Sequence, residues 1–272
     1  MDDKQYEKLA AKIRIDCLRA IHNAGSGHPG GSLSAADIVT ALYFREMNID
    51  PADPKKADRD KFILSKGHAG PVQYAALAER GYCPVEDMMS LRKIGSPFQG
   101  HPNMHKVPGI EMSTGSLGQG ISVSVGMALA NKLDGNPGRI YTLLGDGELQ
   151  EGIVWEAAMS AAHYKLDNLV AIVDWNGLQI DGKNDDVMTV KPIDQKFASF
   201  GWNVVNIDGH SFEQIFDAFD QARQCAEKPT AIIARTHKGR GVSFMEDNPG
   251  WHGKAPNEEE TKQAVEELGG EW

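Results

Sequence analysis

The sequence has little of what secreted and membrane proteins depend on. Its 272 residues include three cysteines and no CxxC pair, which argues against a disulfide framework and against a zinc site. No apolar run reaches the length that crosses a bilayer, and the N-terminus is acidic and polar instead of basic and then apolar. We therefore predict a cytoplasmic protein.

Basic residues are also fewer than acidic ones. Lys and Arg number 28 against 38 Asp and Glu, which gives a formal net charge of -10. Most of the surface would repel nucleic acid or an anionic membrane, so neither is expected as a partner, and any phosphate-bearing ligand must be held by a local site. With 41% hydrophobic residues, the chain can bury the core of one large domain over residues 1–272.

Short apolar runs alternate with helical patterns along the chain. Strands are predicted at KFILS, RIYTLL, NLVAIVD, NVVNI and TAIIAR. Helices are predicted at 4–23, 34–47, 71–80, 119–134, 152–165 and 211–226, with one solvated helix in the acidic tail. This alternation indicates a three-layer α/β fold, in which a mostly parallel central sheet is covered by helices on both faces.

The segment RIYTLLGDGELQEG places Gly145, Asp146 and Gly147 directly after a strand, where open parallel sheets bind ligands. The next predicted strand ends just before Asn176. If the two strands are neighbours about 4.8 Å apart, Asp146 and Asn176 converge. Mg2+ binds carboxylate and amide oxygens together with phosphate oxygens and water. An Asp, an Asn, a backbone carbonyl and a diphosphate would therefore complete a magnesium site.

Further motifs extend this pattern over nearly the whole chain. In order, they are SGHPGGSLSAADI, LSKGHA, GHPN, STGSLGQG, LLGDGELQEG, YKLDNLVAIVD and WHGKAP. In these motifs the chain resembles transketolases, which bind thiamine diphosphate. The resemblance implies that this chain binds thiamine diphosphate and Mg2+, and that Ca2+ or Mn2+ can substitute for Mg2+. It also implies that the metal is held by Asp146, Asn176 and the carbonyl of Leu178.

Four of the nine histidines lie in motifs of this resemblance. The resemblance implies that His68 and His252 lie near the diphosphate. It implies that His28 and His101 face the substrate carbons beside the thiazolium, and that His252 touches both regions. The expected catalytic residues are thus His28, His101 and His252.

The remaining cofactor contacts are implied by the same resemblance. The backbone around Gly115 and Leu117 would hold the aminopyrimidine, since glycine permits a close backbone approach. Gly147 and Asn176 would also contact the cofactor. Ile180 matches a position that is apolar and packs near the thiazolium in some members of the family, whereas others have a polar residue there.

Two acidic residues are expected at a subunit boundary. Glu151 and Glu156 match positions that transketolases place close to the partner domain's catalytic glutamate, and we count Glu151 among the cofactor-binding residues. A solvated helix face is the competing interpretation for both.

Full-length transketolases continue into a pyrimidine-binding domain and a C-terminal domain, and neither follows Trp272. The glutamate that activates the cofactor and the arginines that grip the sugar phosphate belong to those domains. The resemblance therefore implies the N-terminal subunit of a two-component transketolase. It would transfer a two-carbon ketol unit from a ketose (phosphate) to an aldose (phosphate), active only with a C-terminal subunit, in a heterotetramer of two copies of each chain. A fragment of a longer protein is the other explanation.

Two rival functions stay open. One is the α-type subunit of another thiamine-diphosphate enzyme, of the 2-oxoacid dehydrogenase or deoxyxylulose phosphate synthase type, although four motif-embedded histidines suit polyol substrates better. The other is a cofactor-binding regulatory protein without activity. The physiological sugar pair also stays open, because the residues that grip the phosphate lie elsewhere.

Overall fold

The computed structural model describes residues 1–272 and is organised around one five-stranded sheet. Its strands are β1 (Lys61–Leu64), β2 (Ile140–Gly145), β3 (Leu169–Trp175), β6 (Asn203–Asp208) and β7 (Thr230–Arg235). Their spatial order is β1-β2-β3-β7-β6, and every neighbouring pair is parallel. A separate antiparallel hairpin pairs β4 (Leu178–Gln179) with β5 (Gly182–Lys183).

Helices connect and cover these strands. They are α1 (Asp3–Ala24), α2 (Pro29–Ala41), α3 (Gly70–Arg80), α4 (Gln119–Leu133), α5 (Gly152–His163), α6 (Asn184–Val187), α7 (Ile193–Ser199), α8 (Phe212–Gln224) and α9 (Glu258–Glu267). None of them combines the length and apolar character needed to cross a membrane.

The sheet is buried on both faces because its side chains alternate between two cores. In β2, Tyr141 and Leu143 pack into the core formed with α1, α2, α3 and α8. Ile140 and Leu144 point the other way, into the core formed with α4, α5 and α7. The prediction of a three-layer fold with a parallel central sheet is therefore confirmed.

Two predictions of local structure are wrong in detail. The helix expected at 34–47 begins at Pro29, because proline's fixed φ suits the first helical turn, and it ends in a π-helical turn at Leu42–Glu46. The acidic tail is not simply solvated. Helix α9 packs on α1 and buries Thr261, Ala264 and Val265, so only its outer face carries the charge run.

Candidate functional site

The ends of β2 and β3 bring the two predicted metal-binding segments together. Gly145 is in register with Asp174, so the residues that follow both strands are adjacent. Asp146 accepts the backbone N–H of Gly177 at 2.6 Å and that of Gly147 at 2.9 Å. Asp146 therefore contacts the loop that carries Asn176.

A pocket of about 290 Å³ opens at this edge of the sheet. All of the predicted site residues except His101 line it: His28, His68, Gly115, Leu117, Asp146, Gly147, Glu151, Asn176, Leu178, Ile180 and His252. A larger open cleft of about 830 Å³, between residues 53–59 and 104–111, contains none of them. The smaller pocket is therefore the candidate site.

Two of the residues singled out from the sequence lie outside this lining. His101 is exposed and packs against Gly115, where an added Cβ would come within 3.0 Å of the imidazole. Gly115 also has a φ of 143°, so a larger residue would be strained there as well as crowded. Glu156 is exposed on α5 and is not among the residues that line the pocket.

Three histidines form a cluster on one wall of the pocket. The ring centroids of His28, His68 and His252 lie 5.1 to 5.5 Å apart. Burial lowers the pKa of His28 to about 4, of His68 to about 2 and of His252 to about 3. All three are neutral at pH 7, and the buried Nδ1 of His252 has no hydrogen-bond partner. The cluster can thus donate and accept hydrogen bonds without adding charge.

Two buried lysines face the same pocket. Lys66 donates to the carbonyl of Gly31 at 2.7 Å and forms an ion pair with Asp174. Lys238 has one partner, the carbonyl oxygen of Leu178 at 3.2 Å, and no carboxylate. Burial, followed by the charge of Lys66, lowers the pKa of Lys238 to about 8. A buried ammonium without an anion is suited to a phosphate oxygen.

Asp174, at the end of β3, joins four segments. Its carboxylate accepts hydrogen bonds from Ser34 at 2.6 Å, from Thr236, from Lys66 and, at 3.4 Å, from the Asn176 amide. Burial alone would raise the pKa of Asp174, but the Lys66 ammonium and these hydrogen bonds hold it below its usual value. Asp174 therefore positions Asn176 at the pocket.

Glu148 plays a similar part on the other side of Asp146. This buried carboxyl accepts the hydroxyl of Ser65 and the backbone N–H groups of Gly118 at 2.7 Å and Gly145 at 3.0 Å. It thereby ties the end of β1 and the start of α4 to the end of β2.

The sequence interpretation missed Lys66, Glu148, Asp174 and Lys238. A usable signal existed for three of them, because Lys66, Asp174 and Lys238 lie at or just beyond the carboxyl ends of buried strands. Glu148 lies inside the motif LLGDGELQEG, but nothing in the motif shows that its side chain turns inward.

The donor set fits a divalent cation bound with a diphosphate. Burial and the charge of Asp174 raise the pKa of Asp146 to about 6, and a nearby cation would offset that penalty. Asn176 supplies an amide oxygen, and the Leu178 carbonyl has a second lone pair beyond the one that Lys238 uses. The chain has no group of three or more His, Cys, Asp or Glu side chains placed to hold a metal, so phosphate and water would supply the remaining ligands.

Comparison with known proteins agrees with this geometry. Residues 5–272 match the family model described as transketolase, thiamine diphosphate binding domain. The chain is 47% identical over 266 residues to the 6-deoxy-6-sulfo-D-fructose transketolase subunit SqwG of Clostridium sp. (strain MSTE9), covering 98% of this chain and 96% of that protein. It is 43% identical to one of the subunits of the apulose-4-phosphate transketolase of Actinobacillus succinogenes, covering 98% and 96%.

A solved structure gives the same result. The transketolase from Leishmania mexicana superposes with a TM-score of 0.93 at 32% identity, over 98% of this chain and 41% of that one. The chain thus spans less than half of that longer transketolase but nearly all of the two bacterial subunits. None of these three proteins is named as a 2-oxoacid dehydrogenase or a deoxyxylulose phosphate synthase. The chain belongs to the transketolase family and comprises its thiamine-diphosphate-binding domain.

Proposed function

We propose that this chain is the N-terminal subunit of a two-component transketolase that binds thiamine diphosphate and Mg2+. The observation that carries the proposal is the pocket wall on which buried Lys238 has no carboxylate partner and buried Asp146 has no cationic partner. When bound, the cofactor supplies a thiazolium carbon that can carry a two-carbon unit from a ketose to an aldose.

The residues of this chain bind and orient at the diphosphate end. Asp146, Asn176 and the Leu178 carbonyl hold the cation. Lys238 donates to a phosphate oxygen, which gives its ammonium an anionic partner. His68 is neutral because it is buried, so it contributes a hydrogen bond there instead of a charge.

At the other end of the pocket, the backbone near Gly115 and Leu117 holds the aminopyrimidine. His28 and His252, both neutral, donate hydrogen bonds to substrate oxygens, and His101 does so from the pocket's edge. Hydrogen bonds that strengthen as charge develops on those oxygens would lower the barrier to ketol transfer.

The proposed active site is shared between chains. The partner supplies a pyrimidine-binding and a C-terminal domain, and its interface with this chain includes exposed Glu151 and the segment 101–117. We propose a heterotetramer with two copies of each chain, because interfaces of obligate type are large and most oligomers are symmetric. The three free cysteines support a reducing compartment, the cytoplasm.

The substrates are proposed by similarity. Two relatives are named for a sulfonated ketose and for a phosphorylated sugar, so we propose a ketose and an aldose of which at least one carries an anionic group. Sugars of the pentose phosphate type belong to this class.

The test compares the purified chain with an equimolar mixture of the chain and its partner, both saturated with thiamine diphosphate and Mg2+. We expect no ketol transfer by the chain alone and robust transfer by the mixture, with light scattering following assembly. A mixture containing Asp146→Ala is the matched control. Robust activity of the isolated chain would refute the shared site, and a tight but inactive complex would favour the regulatory function.

A further inference from the structure

A second cleft, of about 380 Å³, adjoins the pocket proposed to hold the cofactor. It shares Asn176 and Leu178 with that pocket, and its other lining residues take no part in the proposed function. We call it the β7 cleft. Its walls come from four parts of the chain: the end of β3 and the turn after it (175–178), residues 183–185, residues 190–191, and the end of β7 (235–237) with Asp247.

One buried side chain in the lining of the β7 cleft has no hydrogen-bond partner. Asn184 is 3% exposed, and neither Nδ2 nor Oδ1 of its amide is bonded. Its backbone is held in place, because its N–H donates to the Gly177 carbonyl and its carbonyl accepts the N–H of Met188, both at 2.9 Å. A buried amide without partners costs free energy and is rare in folded proteins. The Asn184 amide can therefore donate to a ligand in the cleft and accept from it.

Arg235 brings a positive charge to the same cleft. Its guanidinium carbon lies 3.4 Å from the centroid of the Trp175 ring. Stacking of this kind occupies the face of the guanidinium, whereas its N–H donors lie at the edge. Arg235 can therefore keep its stack on Trp175 and still donate hydrogen bonds to an oxyanion.

The carboxylates of the cleft do not neutralise this charge. Asp185 is paired with Lys191, and Asp247 with His237. No carboxylate lies within 4.0 Å of the Arg235 guanidinium. In a chain with a net charge of -10, the β7 cleft thus keeps an unpaired cation and an unbonded buried amide in one lining.

We propose that the β7 cleft is a second anion-binding site, which takes a phosphate group, either as inorganic phosphate or as a small phosphate monoester. Arg235 donates charge-assisted hydrogen bonds to the phosphate oxygens, and Lys183 in the same lining adds positive charge. The Asn184 amide donates to a further oxygen and accepts from a P–OH or a hydroxyl of the ester. Small-molecule sites typically have volumes of about 300 to 1,000 Å³, a range that includes this cleft.

The test follows the indole N–H signals of the five tryptophans by NMR while inorganic phosphate or glycerol 3-phosphate is added to the isotope-labelled chain. Trp175 reports on the β7 cleft, and Trp251, which directly precedes His252, reports on the cofactor pocket. We expect the Trp175 signal to shift and saturate with a dissociation constant on the order of 1 mM. An equal shift with sodium chloride at the same ionic strength would show general screening and overturn the site.

A variant of the cofactor pocket separates the two sites. Phosphate can also bind at Lys238, so the titration is repeated in Lys238→Met. The dissociation constant measured at Trp175 should stay within about 2-fold of wild type, because Lys238 does not line the β7 cleft. Loss of the Trp175 shift in this variant would mean that Trp175 reports binding in the cofactor pocket, which would overturn the second site. The inference does not rest on the proposed function, since no step of the test needs thiamine diphosphate or turnover.

Arg235→Met should raise the dissociation constant for phosphate about 10-fold or more, and Arg235→Lys should recover part of the loss. Arg45→Met is the matched control. Arg45 is exposed, stacks on Phe216 at 3.7 Å and lacks a carboxylate, but it does not line the β7 cleft. Its removal should change the constant less than about 2-fold, and equal losses in Arg45→Met and Arg235→Met would refute a specific contact. Tighter binding of glycerol 3-phosphate than of inorganic phosphate supports a monoester as the ligand, and the reverse order supports the free ion.

Asn184→Leu tests the buried amide. The dissociation constant for phosphate should rise about 5-fold while the unfolding temperature stays the same or increases, because the protein loses no hydrogen bond of its own. Unchanged phosphate affinity with a lower unfolding temperature would show that the amide is structural. Oδ1 of Asn184 lies 3.5 Å from the position of a Cβ added to Gly147, on the side of the cofactor pocket. Weaker binding of thiamine diphosphate with unchanged binding of phosphate would therefore assign Asn184 to that pocket and overturn its role here.

Discussion

Two of the regions that bury charge in this molecule treat it differently. Between α1, α2 and the loop after β6, Arg14 donates to both carboxylate oxygens of Asp37, at 3.0 and 2.5 Å, and to the carbonyl of Leu33 at 3.1 Å. Nδ1 of His210 donates to Asp37 at 2.6 Å, and its Nε2 accepts the N–H of His237 at 2.9 Å. Every polar group of this triad has a partner.

In the pocket, some buried polar groups lack a complementary partner from the protein. Lys238 has a single carbonyl, Nδ1 of His252 has nothing, and burial raises the pKa of Asp146 to about 6. Burial is the same in both regions, so burial does not separate structural from binding residues. What differs between these two regions is whether the protein itself completes the hydrogen bonds, and the pocket's incompletely bonded groups can acquire partners from a ligand.

The largest effect should come from breaking the complete triad. Asp37→Ala leaves Arg14 buried without its carboxylate, so the free energy of unfolding should fall by about 3 to 5 kcal/mol. Urea denaturation of the ligand-free chain measures it. A loss below about 1 kcal/mol would mean that the triad does not hold α1 and α2 together. The triad would then not be an example of buried charge that stabilises the fold.

Asp146→Ala should give the converse result. Burial disfavours the charged form of this carboxylate, so its removal should leave the free energy of unfolding nearly unchanged. The Mg2+-dependent affinity for thiamine diphosphate should fall about 100-fold, or roughly 3 kcal/mol. Calorimetry on the complex with the partner measures the affinity. Asp181→Ala is the control, since Asp181 is exposed, lines the same pocket and should change affinity less than about 3-fold. Unchanged affinity in Asp146→Ala would rule out the metal site.

Lys238→Met should weaken ligand binding and increase the stability of the ligand-free chain. Affinity for the diphosphate should fall about 10-fold, for loss of a charge-assisted hydrogen bond. The ligand-free variant should unfold at a higher temperature, because the folded chain holds this ammonium with a pKa of about 8 against 10.5 when unfolded. The gain should be largest at pH 7 and shrink as the pH rises towards 10.5. If the ligand-free Lys238→Met variant were less stable than wild type at pH 7, the unpaired Lys238 ammonium would not be destabilising.

The smallest effect should come from a buried carboxyl that lies outside the pocket. Asp16 on α1 is not among the residues that line the pocket. Burial, followed by the charge of Glu79 and a hydrogen bond with it, raises the pKa of Asp16 to about 7. The folded chain keeps the Asp16 proton up to about pH 7 and the unfolded chain loses it near 3.8, so the Asp16 contribution to stability falls as the pH rises between those values.

Asp16→Asn removes that proton dependence. At pH 8 the variant should be more stable than wild type by about 1 kcal/mol, and the gain should vanish near pH 4. Thermal unfolding at both pH values measures it. A gain that is the same at both would show that the effect is packing and not charge.

The sequence was sufficient for the layers and for most of the pocket, and the reasons are physical. Apolar strands separated by helical patterns admit few arrangements other than a parallel sheet, and residues after neighbouring strands must meet at one edge. The start of α2 was misplaced because glycine and proline usually break a helix, whereas here Pro29 occupies its first turn. The inward turn of Glu148 depends on contacts with distant segments, at Ser65 and Gly118, which no local pattern records.

The hydrogen bond from Lys238 to the Leu178 carbonyl has a consequence for how the cation would enter and leave. The ammonium already supplies a positive charge at the oxygen proposed to bind Mg2+, and Asp146 already fastens the neighbouring Gly177. The loop is therefore preorganised by the protein's own charges before any ion arrives. Chelators should strip the metal without melting the loop, and reloading should need no refolding step.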